Sequence, residues 1–197
     1  MTCRLWMAAA IVLLRTAAEA GQGAPAPADR AGVLAEARQL INQDRPKAAI
    51  ERLAALSGGA ERDPEVALLL GVAWYHADDH ARAIQYLAPV AGTLEAGSPA
   101  RREAVQVLGL SSFLAGRFAE AVPLLEETRE WASSNTELGY VLGQAYVQTR
   151  QPDRARAIFA ALFGVKPESA AAHLLNAQMM IRLQFEPLAE AELARAI

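Results

Sequence analysis

From about residue 30 onward, apolar side chains recur three and four positions apart, the spacing that gathers them on one face of an α-helix. Polar punctuation interrupts these stretches at regular distances. Asp44, Asp78-Asp79, Gly116-Arg117 and Arg150-Gln151-Pro152 read as tight turns between paired helices. Asp63-Pro64-Glu65 and Ser98-Pro99 carry a capping residue followed by proline, the signature of a helix start. Ser133-Ser134 are expected as caps of a further helix, and Lys166-Pro167-Glu168-Ser169 as a break between two units. With β-branched residues sparse, the pattern predicts an all-α chain.

The punctuation is periodic. A small residue stands near the middle of each predicted first helix: Ala37, Gly71, Gly109, Gly143 and Ala177, at spacings of 34, 38, 34 and 34 residues. Twelve positions after each comes an alanine: Ala49, Ala83, Ala121, Ala155 and Ala189. Four further on stands a large apolar residue: Leu53, Leu87, Leu125, Phe159 and Leu193. Leu40, Trp74, Tyr146 and Met180 follow the small residue by three, with Ser112 breaking the column. The expected geometry sets small against small where two antiparallel helices approach, with bulky neighbours filling the space on either side. One such hairpin cannot cover its own apolar face, so copies must stack. The longer second interval implies four extra residues within Ala91–Ala100, read as a surface-loop insertion.

These columns resemble the tetratricopeptide repeat. The resemblance rests on Leu70-Gly71 with Trp74 and Ala83, on Leu108-Gly109 with Ala121, and on Leu142-Gly143 with Tyr146, Ala155, Phe159 and Pro167. Glu36-Ala37 and Asn176-Ala177 replace the usual Leu-Gly in the first and last units, and the closing proline is kept only at Pro167. Sel1-like and other α-hairpin solenoids share the same packing logic. The resemblance implies a right-handed α-solenoid of about five antiparallel hairpins over residues 30–197. Its units are expected at about 30–63, 64–101, 102–135, 136–169 and 170–197, the last incomplete. It also implies a concave groove lined by the first helices, and protein or peptide partners. Because no polar capping helix is seen after the fifth unit, the chain is expected to continue beyond Ile197 or to associate, with itself or a partner, through that end.

The first thirty residues read differently. Arg4 precedes an apolar run, Leu5 to Leu14, and Ala18-Glu19-Ala20 offers a small-x-small cleavage site. Residues 1–20 are expected to be a secretory signal cut between Ala20 and Gly21; a retained N-terminal anchor is the alternative. The run falls short of the roughly 20 apolar residues that span a bilayer, so no stable membrane span is expected after cleavage. Residues 21–29, GQGAPAPAD, read as a flexible linker. Cleavage removes Cys3, the only cysteine, and leaves a chain without thiol chemistry. A periplasmic or secreted location follows.

Composition narrows the remaining choices. At 53% apolar and 21% charged, the chain is core-forming. A net charge of −3, with basic residues dispersed, argues against nucleic acid and against anionic lipid surfaces. His76-Ala77-Asp78-Asp79-His80 is the only segment with metal-ligand character, yet it falls on a predicted turn, so no metal is expected. Neither Ser111-Ser112 nor Ser133-Ser134 sits in a nucleophile elbow. No catalytic residues and no cofactor are expected. The alternative is that the array is an accessory region of a longer exported enzyme, a peptidase or transferase with its catalytic part beyond Ile197.

The groove can be assigned by register. One face of successive first helices carries Leu34, Arg38 and Ile41; Leu68, Val72 and Tyr75; Gln106, Leu110 and Phe113; Tyr140, Gln144 and Val147; and Leu174, Gln178 and Ile181. This face is apolar with three tyrosine or phenylalanine rings and three glutamines, and lacks the basic set with which some tetratricopeptide proteins hold a terminal carboxylate. It suits a peptide with apolar anchors. The competing reading packs Tyr75, Phe113 and Tyr140 between neighbouring units.

Overall fold

The computed structural model describes residues 27–56 and 63–197. The signal sequence, its Ala20–Gly21 cleavage site and residues 21–26 of the linker lie outside the described residues. Ten helices, and no strand, occur among the described residues: α1 (Pro27–Asn42), α2 (Pro46–Ala54), α3 (Pro64–His76), α4 (His80–Ala91), α5 (Pro99–Leu114), α6 (Phe118–Ala132), α7 (Thr136–Gln148), α8 (Pro152–Leu162), α9 (Ala170–Arg182) and α10 (Glu186–Arg195). Consecutive helices pair as five hairpins that stack in chain order into an α-solenoid. Helix α1 begins at Pro27, so its first three residues are helical where a linker was expected. The fifth hairpin consists of α9 and the ten-residue α10.

The small-residue column has a sharper reason than helix approach alone. A Cβ at Gly71 would collide with Leu87 Cγ, and one at Gly143 would lie 2.5 Å from Phe159 Cε1. The column glycine therefore makes room for the large residue sixteen positions later, not for the alanine at twelve. The alanines are nonetheless needed, since Ala49, Ala83, Ala121 and Ala155 are fully buried.

Two kinds of turn alternate. First helices are started by side chains: Asp63 accepts from Glu65 N, Ser98 from Arg101 N, Asn135 from Leu138 N and Ser169 from Ala172 N. Asn135, not Ser133-Ser134, caps α7; Ser133 instead closes α6. The turn inside each hairpin is closed by backbone, with a side-chain cap added at Asp79, which accepts from Arg82 N. Asp44, Asp78, Gly116, Arg150 and Gln184 all take positive φ, between 56° and 74°. After each, an amide reaches back to close the preceding helix: Arg45 to Leu40 O, Asp79 to Trp74 O, Arg117 to Ser112 O, Gln151 to Tyr146 O and Phe185 to Met180 O, all within 2.8–3.0 Å. This is the 6→1 bond of a Schellman turn, at the repeat interval.

The extra residues of the third unit lengthen a helix more than a loop. Helix α5 starts ten residues before Gly109, whereas α3 and α7 start seven before Gly71 and Gly143. The added turn brings Pro99 to Arg101 onto the array.

Buried apolar residues form two clusters. One runs from Leu34 to Leu108 and takes Ala104, Val107 and Leu108 from α5; the other runs from Ala121 to Ala189 and is joined by Leu110 and Phe113 of the same helix. Helix α5 is thus a wall shared by both. The last hairpin is held partly by charge. Buried Glu192 of α10 accepts from Arg156 of α8 at 3.1 Å and meets His173 Nδ1 of α9 at 2.9 Å. Arg156 also donates to Pro167 O, and Asn176 Nδ2 donates to Pro152 O, each at 3.0 Å. Burial disfavours the charge of the Arg156 guanidinium, while Asp153 and Glu192 more than restore it and raise its pKa.

Candidate functional site

The face of α5 that looks away from its hairpin partner is flanked by α3 and α7, and along it runs a cleft of about 930 Å³. Tyr75 and His76, from the end of α3, and Phe113 and Leu114, from the end of α5, form one end. At the other end stand Arg102, Trp131 and Glu137. Gln106 and Leu110 of α5 and Val141 of α7 line the middle. Trp131 reaches the cleft because α6, at 15 residues, is longer than its counterparts and carries the ring in its last turn. A second cleft of about 570 Å³ lies over α1 and α3, bordered by Leu34, Arg38 and Leu68.

Register placed these residues unevenly. Val72, Tyr75, Gln106, Leu110 and Phe113 line the larger cleft, and Leu34, Arg38 and Leu68 the smaller. Ile41 and Val147 are buried in the two cores. Tyr140 packs between hairpins: its hydroxyl lies 3.6 Å from Met179 Sδ, and its ring centre 6.0 Å from that of Phe159. Gln144 lines neither cleft, and the α7 residues that do so are Glu137, Leu138 and Val141. Leu174, Gln178 and Ile181 lie exposed on α9. Arg102, Glu103, His76, Leu114, Trp131, Glu137, Leu138 and Val141 were not expected at the site. Arg102 and Glu103 belong to the start of the lengthened α5, and Trp131 comes from a second helix, outside the first-helix register.

The electrostatics are mixed rather than one-signed. Arg102 stacks over Trp131 at 5.8 Å from the ring centre. Glu103 is paired with Arg38. Tyr75 is half-buried, and burial, then the Asp78 charge, push its phenol above the ordinary range. Its ring meets His76 edge-on at 5.4 Å and tilts towards His80 at 5.9 Å. Asp79 caps α4, so the His76–His80 segment is occupied by turn and ring packing. Among the described residues no group of three or more His, Cys, Asp or Glu is placed to hold a metal ion. No described helix is long and apolar enough to cross a membrane.

Stacked helical hairpins with a cleft on the first-helix side define an α-solenoid repeat protein. Tetratricopeptide repeat profiles match residues 34–92 and 112–196. The chain belongs to the tetratricopeptide repeat family. No curated protein matches it. Among solved structures it is similar to MamA AMB-1, at 21% identity and TM-score 0.64, over 86% of this chain and 97% of that one. It is similar to MamA from Desulfovibrio magneticus RS-1, at 19% identity and TM-score 0.60, over 85% and 93%. It is also similar to YrrB, described as a TPR protein with an unusual peptide-binding site, at 17% identity and TM-score 0.61, over 84% and 83%. At these identities the likeness establishes the shared fold.

Proposed function

We propose that this protein is a scaffold that binds partner proteins, and that it takes an apolar-anchored segment of the partner into the cleft along α5. It acts by binding, without catalysis of its own. The observation that carries this reading is the cleft's lining: Tyr75, Phe113, Trp131 and Leu110 around one channel, with charge confined to the ends. Aromatic anchors of this kind supply most of the binding energy in peptide recognition. The peptide-binding site named for YrrB supports it by analogy of fold. We further propose that the protein works in the periplasm or outside the cell after removal of residues 1–20.

The test is quantitative capture of partners from an envelope extract. Wild type is compared with a variant carrying Tyr75→Ala, Phe113→Ala and Trp131→Ala, and with Tyr140→Phe as a control outside the cleft. Circular dichroism checks that each is folded. Loss of captured partners by the triple variant alone is expected; undiminished capture by a folded triple variant overturns the cleft assignment. N-terminal sequencing of protein recovered from the periplasm or medium should begin at Gly21.

A further inference from the structure

Arg38 and Glu103 lie 65 residues apart, in the first and third hairpins, yet they meet as a two-pronged ion pair. Arg38 Nη1 donates to Glu103 Oε1 at 2.5 Å and Nη2 to Oε2 at 2.8 Å. Fork-to-fork geometry of this kind fixes orientation as well as distance. Helices α1 and α5 otherwise barely touch. Arg38 borders the smaller cleft together with Leu68 of α3, while Glu103 borders the larger one together with Val72 of α3. The pair therefore stands above α3, between the two clefts.

No other hairpin repeats the arrangement. At the position of Arg38 the later first helices carry Val72, Leu110, Gln144 and Gln178. The pair is also not required for stacking, because the first and third hairpins are not neighbours in the array. The side chains keep 38% and 31% of their exposure, so water and salt reach them. Stacking energy comes from the buried clusters below, which the pair does not enter.

We infer that the Arg38–Glu103 pair is an ionic strut that divides the first-helix face into two compartments. Closed, it restricts a partner segment to the cleft on α5. Open, it joins the two compartments and lets a longer segment continue over α3 towards α1. The strut thus sets the length of chain the face accepts, and salt shifts the balance. This rests on the reading of the α5 cleft as the binding site, but the strut itself is measurable without any partner.

The experiment uses the full chain with Cys3→Ser, spin-labelled at Gln39→Cys on α1 and Glu130→Cys on α6, both exposed positions. Pulsed electron resonance then gives the distance distribution between the first and third hairpins. One narrow population is expected in about 0.1 M salt, broadening to longer distances in about 1 M. Glu103→Gln should show the broad distribution at both salt concentrations, with the open-to-closed ratio raised roughly fivefold, as for a partly exposed pair. The exchange Arg38→Glu with Glu103→Arg should restore the narrow population. Arg117→Gln, which breaks only the local pair with Glu120, should leave the wild-type distribution unchanged. The strut is overturned if Glu103→Gln and wild type coincide at both salt concentrations, or if the exchanged pair stays as broad as Glu103→Gln. These distances stand whether or not partner capture succeeds, so failure of the strut and failure of the binding reading are told apart.

Discussion

Replacing Gly143 by alanine tests the packing logic of the repeat directly. The new Cβ would lie 2.5 Å from Phe159 Cε1, 2.7 Å from Cζ and 3.1 Å from Cδ1. Phe159 is fully buried, so its ring has no solvent-side space to retreat into. Overpacking of a well-filled core costs about 1–3 kcal/mol, and ring contacts this short belong at the upper end. Alanine returns about 1 kcal/mol through its better helix propensity. The net expectation is a loss of about 2 kcal/mol, or roughly 4–8 °C in Tm for a chain of this size. Gly109→Ala is the internal comparison. Its Cβ would meet Leu124 and Leu125 at 3.2–3.3 Å, a distance that a shift of a few tenths of an ångström relieves, so it should be nearly neutral. Urea unfolding followed by circular dichroism gives both values, and Gly143→Ala combined with Phe159→Leu completes a double-mutant cycle. The reasoning fails if Gly143→Ala is as stable as Gly109→Ala, or if shortening Phe159 recovers none of the loss.

Three other expectations follow from the same contacts. Glu192→Ala leaves Arg156 and His173 without their shared buried acceptor and should cost about 3–5 kcal/mol, seen first as loss of hydrogen-exchange protection in α10. Gln184→Gly relieves a non-glycine residue at φ 66° and should stabilise by about 0.5–1 kcal/mol, read as a rise in Tm; no rise would count against strain at that turn. Burial first, then its 2.7 Å hydrogen bond to Glu126, push the Tyr146 phenol up to about 12. Because the folded state holds that proton more tightly than the unfolded chain, the stability it contributes is whole below pH 10.0 and is lost as pH rises towards 12. Stability-against-pH curves of wild type and Tyr146→Phe should differ in slope in that interval.

The period was legible because stacking requires it: a small column, an alanine column and a large column recur in register from Ala37 to Leu193. The reason for the glycines was not, since only the packed pair shows that Phe159 occupies the space a Cβ would need. Hairpin turns were recognisable at Asp44, Asp78 and Gly116, whose types tolerate positive φ. The turn at Arg150 was recognisable from the Pro152 that follows it, while Gln184 carries no turn signal in its residue type and takes positive φ all the same. Of the residues assigned by register, Tyr75, Leu110 and Phe113 line the cleft along α5. In the fourth unit the cleft is lined instead by Glu137, Leu138 and Val141, while Tyr140 packs on Met179 and Phe159. Periodicity assumes the same rotation in every unit. The Arg38–Glu103 contact was beyond reach for another reason: it joins non-neighbouring hairpins, and nothing local encodes it.

The division of the core at α5 has an energetic consequence. In a stacked array, each block's stability is its own plus what its neighbours lend across the shared interface. Here the lending passes through α5, which serves both clusters, and through Leu124 of α6, which packs on the first. The array is therefore expected to unfold as two cooperative units in series, one half opening while the other stays shut. A partner segment seated along α5, as proposed above, would lie on the seam between them. It would tie the two openings together, so that occupancy is felt as greater cooperativity of unfolding as well as greater stability.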